Sequence, residues 1–224
     1  MPTARRPHRI FGGSRIVTKL YLASLSPRRK EILEEMRLPF TVLSAEADEQ
    51  VPAGTDPQSA GQMLAVRKAA ALRDKLTAQG AYGEETAVLA ADTLVYLDDR
   101  PLGKPKDAAE ALEMLSALSG RTHTVCTGMC LLVGARSYSL ADVTKVKMRA
   151  FSAEEAAAYV ATGEPLDKAG AYGIQGLGAL LVQEIEGDYF SVMGLSKCGV
   201  YRLFQTAGLP YWSMIRKEKH ANEI

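Results

Sequence analysis

A strand-like run, Ile16-Val17 through Leu20-Tyr21-Leu22-Ala23, passes directly into Ser24-Leu25-Ser26-Pro27-Arg28-Arg29-Lys30-Glu31-Ile32-Leu33. This junction constrains the fold more than any other part of the chain. Ser26 suits a helix N-cap and Pro27 the first helical position, while Ile32, Leu33 and Met36 recur at helical spacing. The start of a helix carries unpaired N–H donors and a partial positive charge, so acids are the stabilising choice there. Arg28 and Arg29 oppose that dipole, as expected of a helix start that awaits an anion. The plain alternative is an exposed basic helix start.

Three further segments bear on that choice. Ala91-Asp92-Thr93-Leu94-Val95 places an acid and a hydroxyl in or at the end of an apolar strand that begins near Ala87. Leu102-Gly103-Lys104-Pro105-Lys106-Asp107 is a turn with two lysines that enters a helix through Asp107 and Glu110, a capping-box spacing. Asp167-Lys168-Ala169-Gly170-Ala171-Tyr172-Gly173-Ile174-Gln175-Gly176-Leu177-Gly178 is a glycine-rich loop containing a lysine.

The remaining pattern predicts strands near 16–23, 39–44, 87–97, 122–133, 137–149 and 179–186, and helices over 26–37, 57–79, 107–118, 153–161 and 195–206. Residues 98–104 read as a turn, and 45–56 and 162–178 as the long loops where function concentrates. Helices and strands mixed without strict βαβ periodicity indicate an α/β three-layer fold, with a mixed, strongly twisted central sheet and helices on both sides. The domain is expected over residues 19–208. It is preceded by a basic, disordered lead-in (1–18) and followed by a polar tail (209–224) whose most polar part starts at Arg216. The lead-in is Arg-rich and free of acids, a composition that also fits organelle targeting; otherwise the expected location is cytoplasmic.

Charge excludes some classes. Over 224 residues the net charge is +1, too little for a general binder of nucleic acid or membrane surface. No apolar run approaches the roughly 18 residues of a membrane span. Cys126 and Cys130 are four apart in a strand-like run and read as small apolar residues; with Cys198 they form no zinc-like spacing. No nucleophilic-serine motif is present, and His123 reads as structural.

In this order, Ser-Pro-Arg-Arg, Ala-Asp-Thr, Gly-Lys-Pro, Leu118-Ser119-Gly120-Arg121-Thr122-His123 and the Ala-Gly-Ala-Tyr-Gly-Ile-Gln-Gly loop make the chain resemble the Maf family of nucleoside triphosphate pyrophosphatases. The similarity runs from about Leu20 to about Leu195. It implies splitting of a triphosphate into monophosphate and pyrophosphate, and a homodimer. By the resemblance Asp92 is the general base, Glu49 is an acid near the metal, and Arg28, Lys68 and Lys104 have functional roles. In the branch that cleaves dTTP and UTP, a glutamine, an arginine and a threonine matching Gln175, Arg28 and Thr93 set specificity. The branch that prefers 7-methyl-GTP differs in this loop. Leu25 departs from the family's small residue in Ser-x-Ser and would narrow a phosphate pocket; Ser196 stands where a proline is common.

The chemistry asks for these residue types. A triphosphate carries roughly four negative charges, and Arg28, Arg29, Lys68, Lys104 and Lys168 are the cations available to meet them, with Ser24 beside them. Asp92 falls in a run that should be buried, where a charge needs a partner. With Glu49, and less directly Asp48, it offers hard oxygen ligands for Mg²⁺ or Mn²⁺. Gln175 has both a donor and an acceptor for a uracil or thymine edge. Two readings compete: a regulatory protein of cell division that binds nucleotides without turnover, against which an intact Asp92 favours the enzyme, and a pyrophosphatase for 7-methyl-GTP or other purine nucleotides, against which Gln175 argues.

Overall fold

The computed structural model describes residues 17–216. The lead-in expected over 1–18 lies outside these residues through residue 16, as does the tail over 217–224. Seven strands form one mixed sheet: β1 (Lys19–Leu22), β2 (Thr41–Val42), β3 (Thr86–Leu97), β4 (Arg100–Leu102), β5 (Thr122–Val133), β6 (Arg136–Met148) and β7 (Val182–Glu186). The order is β2-β1-β3-β5-β6-β7, with β4 paired to the far end of β3. β2, β1 and β3 run parallel, and every pairing from β3 onward is antiparallel.

Helices cover both faces, as expected. α1 (Pro27–Glu35) starts as the sequence predicts, with Ser26 Oγ accepting from the Arg29 N–H and proline in the first turn. α2 (Pro57–Ala78) lays Ala65, Ala69, Leu72 and Leu76 on Val88, Ala90, Cys130 and Leu132. The opposite face holds the larger core, where Ile32 and Leu33 of α1 join α3 (Ala108–Leu118), α4 (Ala153–Ala161) and α6 (Lys197–Thr206). Ser196, the departure from proline, caps α6 by accepting from the Gly199 N–H at 2.9 Å. Among the described residues no helix is long and apolar enough to cross a membrane.

Three segments differ from expectation. The turn expected over 98–104 contains β4: Asp98 takes a left-handed conformation (φ +51°), which Asp tolerates, and the chain folds back on β3 as a hairpin. Beyond the strand expected over 179–186 the chain forms a helix that the sequence pattern does not predict, α5 (Tyr189–Met193), capped by Asp188 Oδ1 on the Ser191 N–H. The polar tail expected from 209 is corrected over its first residues. Leu209 and Tyr211 are buried, α7 (Tyr211–Met214) forms, and the Tyr211 hydroxyl donates to the Met36 carbonyl at 2.9 Å. Leucine and tyrosine beside the end of α6 have more to gain from burial than from hydration.

Candidate active site

Alternation along β3 divides its side chains between two partners. Val88 and Ala90 face α2, whereas Ala87, Leu89 and Ala91 face the larger core. Asp92 therefore falls on the α2 side and Thr93 on the α1 side. Lys68 of α2 meets Asp92, its ammonium bonded to Oδ1. Arg29 of α1 meets Thr93, with Nη2 3.2 Å from the hydroxyl.

Both residues lie where one edge of β3 is unpaired by a strand. Pairing with β1 ends at Leu89 and pairing with β4 begins at Val95. The gap opens at the carboxyl ends of the parallel strands β1 and β2, where open α/β sheets bind their ligands. A cleft of about 550 Å³ occupies it, and a second hollow of about 480 Å³ shares Arg29, Glu49 and Lys68 with the first.

Every residue nominated from the sequence except Asp48 lines one of these hollows. Arg28, Arg29, Glu49, Lys68, Asp92, Thr93, Lys104, Lys168 and Gln175 surround the larger, and Ser24 lies in the smaller. Leu25 is also in the smaller, but it is 74% exposed and so does not plug it. The larger cleft is lined by five cations (Arg28, Arg29, Lys68, Lys104, Lys168) against three acids (Glu49, Asp92, Asp167), a balance suited to an anion.

The cations differ in what they already hold. Arg29 is committed: Nε donates to the Gly194 carbonyl at 2.8 Å, Nη1 to Ser24 Oγ at 3.2 Å and Nη2 to Thr93 Oγ1. Burial pushes its pKa below the ordinary arginine value. Arg28 reaches Asp167 at 3.4 Å, and Lys168 contacts the same carboxylate and the Glu164 carbonyl, each at 2.6 Å. Thr127 hydrogen-bonds Thr93 at 2.8 Å and donates onward to the Ser191 carbonyl at 2.7 Å, so Thr93 is the donor in their pair. The Thr93 hydroxyl keeps one lone pair after accepting from Arg29.

Glu49 and Asp92 converge on a single cation. Lys68 Nζ lies 2.8 Å from Glu49 Oε1 while it bonds Asp92, whose side chain is only 12% exposed. The hydrogen bond and the charge of Lys68 hold the Glu49 carboxyl below its usual range. Arg67, next on α2, fixes the loop that carries Glu49: Nη1 donates to the Gln50 carbonyl at 2.5 Å and pairs with Asp48 Oδ2 at 3.2 Å. Asp48 thus faces Arg67. Two carboxylates around a position already taken by a positive charge are suitable donors for Mg²⁺ or Mn²⁺, ions held by one or two carboxylates together with substrate phosphates. Among the described residues no group of three or more His, Cys, Asp or Glu could hold a metal alone.

Sequence reasoning did not find Thr127, Glu164 or the Gly194 carbonyl. Thr127 stands directly opposite Thr93 in the β3–β5 register, a pairing set by long-range contacts. Glu164 follows the glycine that ends α4 and carries no local signature. His123 is structural as expected: it is buried, its Nε2 lies 2.8 Å from the Tyr172 hydroxyl, and burial pushes its pKa down to about 4.

Known proteins resemble this chain in sequence. A "dTTP/UTP pyrophosphatase" of Bacillus cytotoxicus is 49% identical over 177 residues, 79% of this chain and 89% of its own length. A protein of the same name from Moorella thermoacetica is 46% identical over 201 residues, 89% of this chain and 100% of its own. The Staphylococcus aureus Ham1 structure aligns with 85% of this chain and 96% of its own at 12% identity and a TM-score of 0.47, too weak to carry an argument. The family described as "Maf: Maf-like protein" matches residues 19–207, which span the sheet, both helical layers and the whole cleft. With close relatives over most of its length and the family pattern across the seven-stranded sheet, the chain belongs to the Maf-like protein family.

Proposed function

We propose that the chain hydrolyses dTTP, UTP and related modified pyrimidine triphosphates to the monophosphate and pyrophosphate, by attack of water on the α-phosphorus. One observation carries this reading. The Asp92 carboxylate is held at an unpaired sheet edge by Lys68, inside a cleft whose rim presents Arg28, Lys104 and Lys168. The names of the relatives at 46–49% identity support the same substrates. The resemblance adds a homodimer, and the cytoplasmic location expected from the sequence belongs to the same reading.

In this reading Asp92 takes the proton of the attacking water through its carboxylate. Lys68, bonded to its Oδ1, fixes the position of that carboxylate in the cleft. Arg28, Lys104 and Lys168 neutralise the pyrophosphate as it leaves, which is where charge builds in phosphoryl transfer. Arg29 braces Ser24, Thr93 and the end of α5 against one another and contributes its charge from within. Glu49 and Asp92 would hold the divalent cation; when bound, it supplies positive charge against the triphosphate. Gln175 reads the pyrimidine edge from the glycine loop.

The test is pyrophosphate release from UTP, dTTP, CTP, GTP and 7-methyl-GTP with Mg²⁺ or Mn²⁺. UTP and dTTP are expected to lead, and excess chelator to stop turnover. Persistent turnover after the metal is stripped would remove Glu49 and Asp92 from any metal role. On the same panel Gln175→Glu is expected to narrow the UTP-to-GTP ratio of kcat/KM by about 5- to 150-fold, the equivalent of about 1–3 kcal/mol for a hydrogen bond lost to a desolvated partner. An unchanged ratio would show that another residue reads the base.

A further inference from the structure

Glu164 does not line the cleft, yet its polar atoms are bonded to the loop that does. Oε1 accepts from the Gly178 N–H at 3.0 Å and from the Tyr159 hydroxyl at 2.9 Å, and Oε2 accepts from the Leu177 N–H at 3.1 Å. Its backbone carbonyl accepts from Lys168 Nζ at 2.6 Å. The Tyr159 hydroxyl in turn accepts from the Gly173 N–H at 3.1 Å. One carboxylate thereby gathers the chain on both sides of Gln175, directly at Leu177 and Gly178 and through Tyr159 at Gly173.

The approach is close. Gly176 has φ +65°, and a Cβ there would lie 2.8 Å from Glu164 Oε2, so a side chain at this position would displace the carboxylate. Partial burial pushes the Glu164 carboxyl up, but the N–H groups of Gly178 and Leu177, the Tyr159 hydroxyl and the Lys168 charge outweigh it and hold the group below its ordinary value. It is therefore an ionised, acceptor-only group at neutral pH, matched to three donors.

We propose that Glu164 is a positioning residue for base selection: its carboxylate staples the glycine loop and holds Gln175 at the cleft without touching the nucleotide. This rests on the reading of the chain as a pyrimidine triphosphate enzyme. A role in folding alone would leave selectivity unchanged, so selectivity is the quantity to measure.

The experiment compares wild type, Glu164→Gln and Tyr159→Phe as full chains. Glu164→Gln keeps the shape but turns an amide N–H₂ toward a donor; Tyr159→Phe removes the link to Gly173. Two readouts are taken beside the melting temperature. One is hydrogen exchange of the Leu177 and Gly178 amides by NMR without ligand. The other is the affinity for the α,β-methylene analogues of UTP and GTP, which needs no turnover. Glu164→Gln is expected to lose about tenfold or more in protection at whichever of the two amides faces its N–H₂, and about tenfold in the UTP-to-GTP affinity ratio. Tyr159→Phe should move selectivity the same way by less, and it carries the test if Glu164→Gln fails to fold. Amides as protected as in wild type, or a loosened loop with intact selectivity, would overturn the role of Glu164 alone. A wild-type chain that binds the UTP analogue no better than the GTP analogue would overturn the pyrimidine reading and the proposal with it.

Discussion

Asp92→Asn is expected to lower kcat for UTP and dTTP by about 10²–10⁴-fold, the range for loss of a general base. Asparagine fills the same place on β3 but cannot take a proton from water. The fold should survive, because the amide oxygen still accepts from Lys68 and the ammonium keeps Glu49 at 2.8 Å. Triphosphate affinity should hold or tighten, since Arg28, Lys104 and Lys168 are untouched and one negative charge leaves the cleft. The check is kcat, substrate affinity and a melting curve on one preparation. A folded variant that keeps more than about a tenth of wild-type kcat would fall outside this range, and Asp92 would not be the base.

The largest expected effect on stability belongs to Gly128→Ala. Gly128 stands opposite Asp92 in the β3–β5 register, beneath the first turns of α2. A Cβ there would lie 2.0 Å from the carbonyl carbon and oxygen of Gly61 and 2.5 Å from the Gln62 nitrogen. All three are backbone atoms of α2, so no rotamer change relieves the overlap and the helix must rise off the sheet. Overpacking typically costs about 1–3 kcal/mol, and this contact belongs at or beyond the upper end. For a chain of this size that is a fall of roughly 6–12 °C or more in Tm. Lys68 rides on the same helix, so the fraction that still folds should also lose activity. Gly83→Ala, where a Cβ meets nothing within 4 Å, is the matched control and should change stability by no more than about 0.5 kcal/mol.

Much of this site is legible along the chain because local rules set it. Ser26, Pro27 and the spacing of Ile32 and Leu33 place α1 and thus its arginines. The apolar run around Asp92 marks a strand whose charge needs a partner, and Lys68 is that partner. What stays hidden depends on distant contacts. Arg29 reads as one more cation for the substrate, but burial and three internal acceptors make it first a brace. Glu164 has no local pattern because the two loop amides that its carboxylate accepts from, Leu177 and Gly178, lie 13 and 14 residues away. Tyr211 looks like part of a polar tail until its ring packs against Phe204. β4 is too short for periodicity to register and exists because β3 offers it a free edge.

The most direct measurement is hydrolysis of UTP in ¹⁸O-enriched water under single-turnover conditions, with each product analysed for label. Attack on the α-phosphorus at Asp92 predicts one ¹⁸O in UMP and none in pyrophosphate. Label in the pyrophosphate, or UDP and labelled phosphate as products, would contradict it.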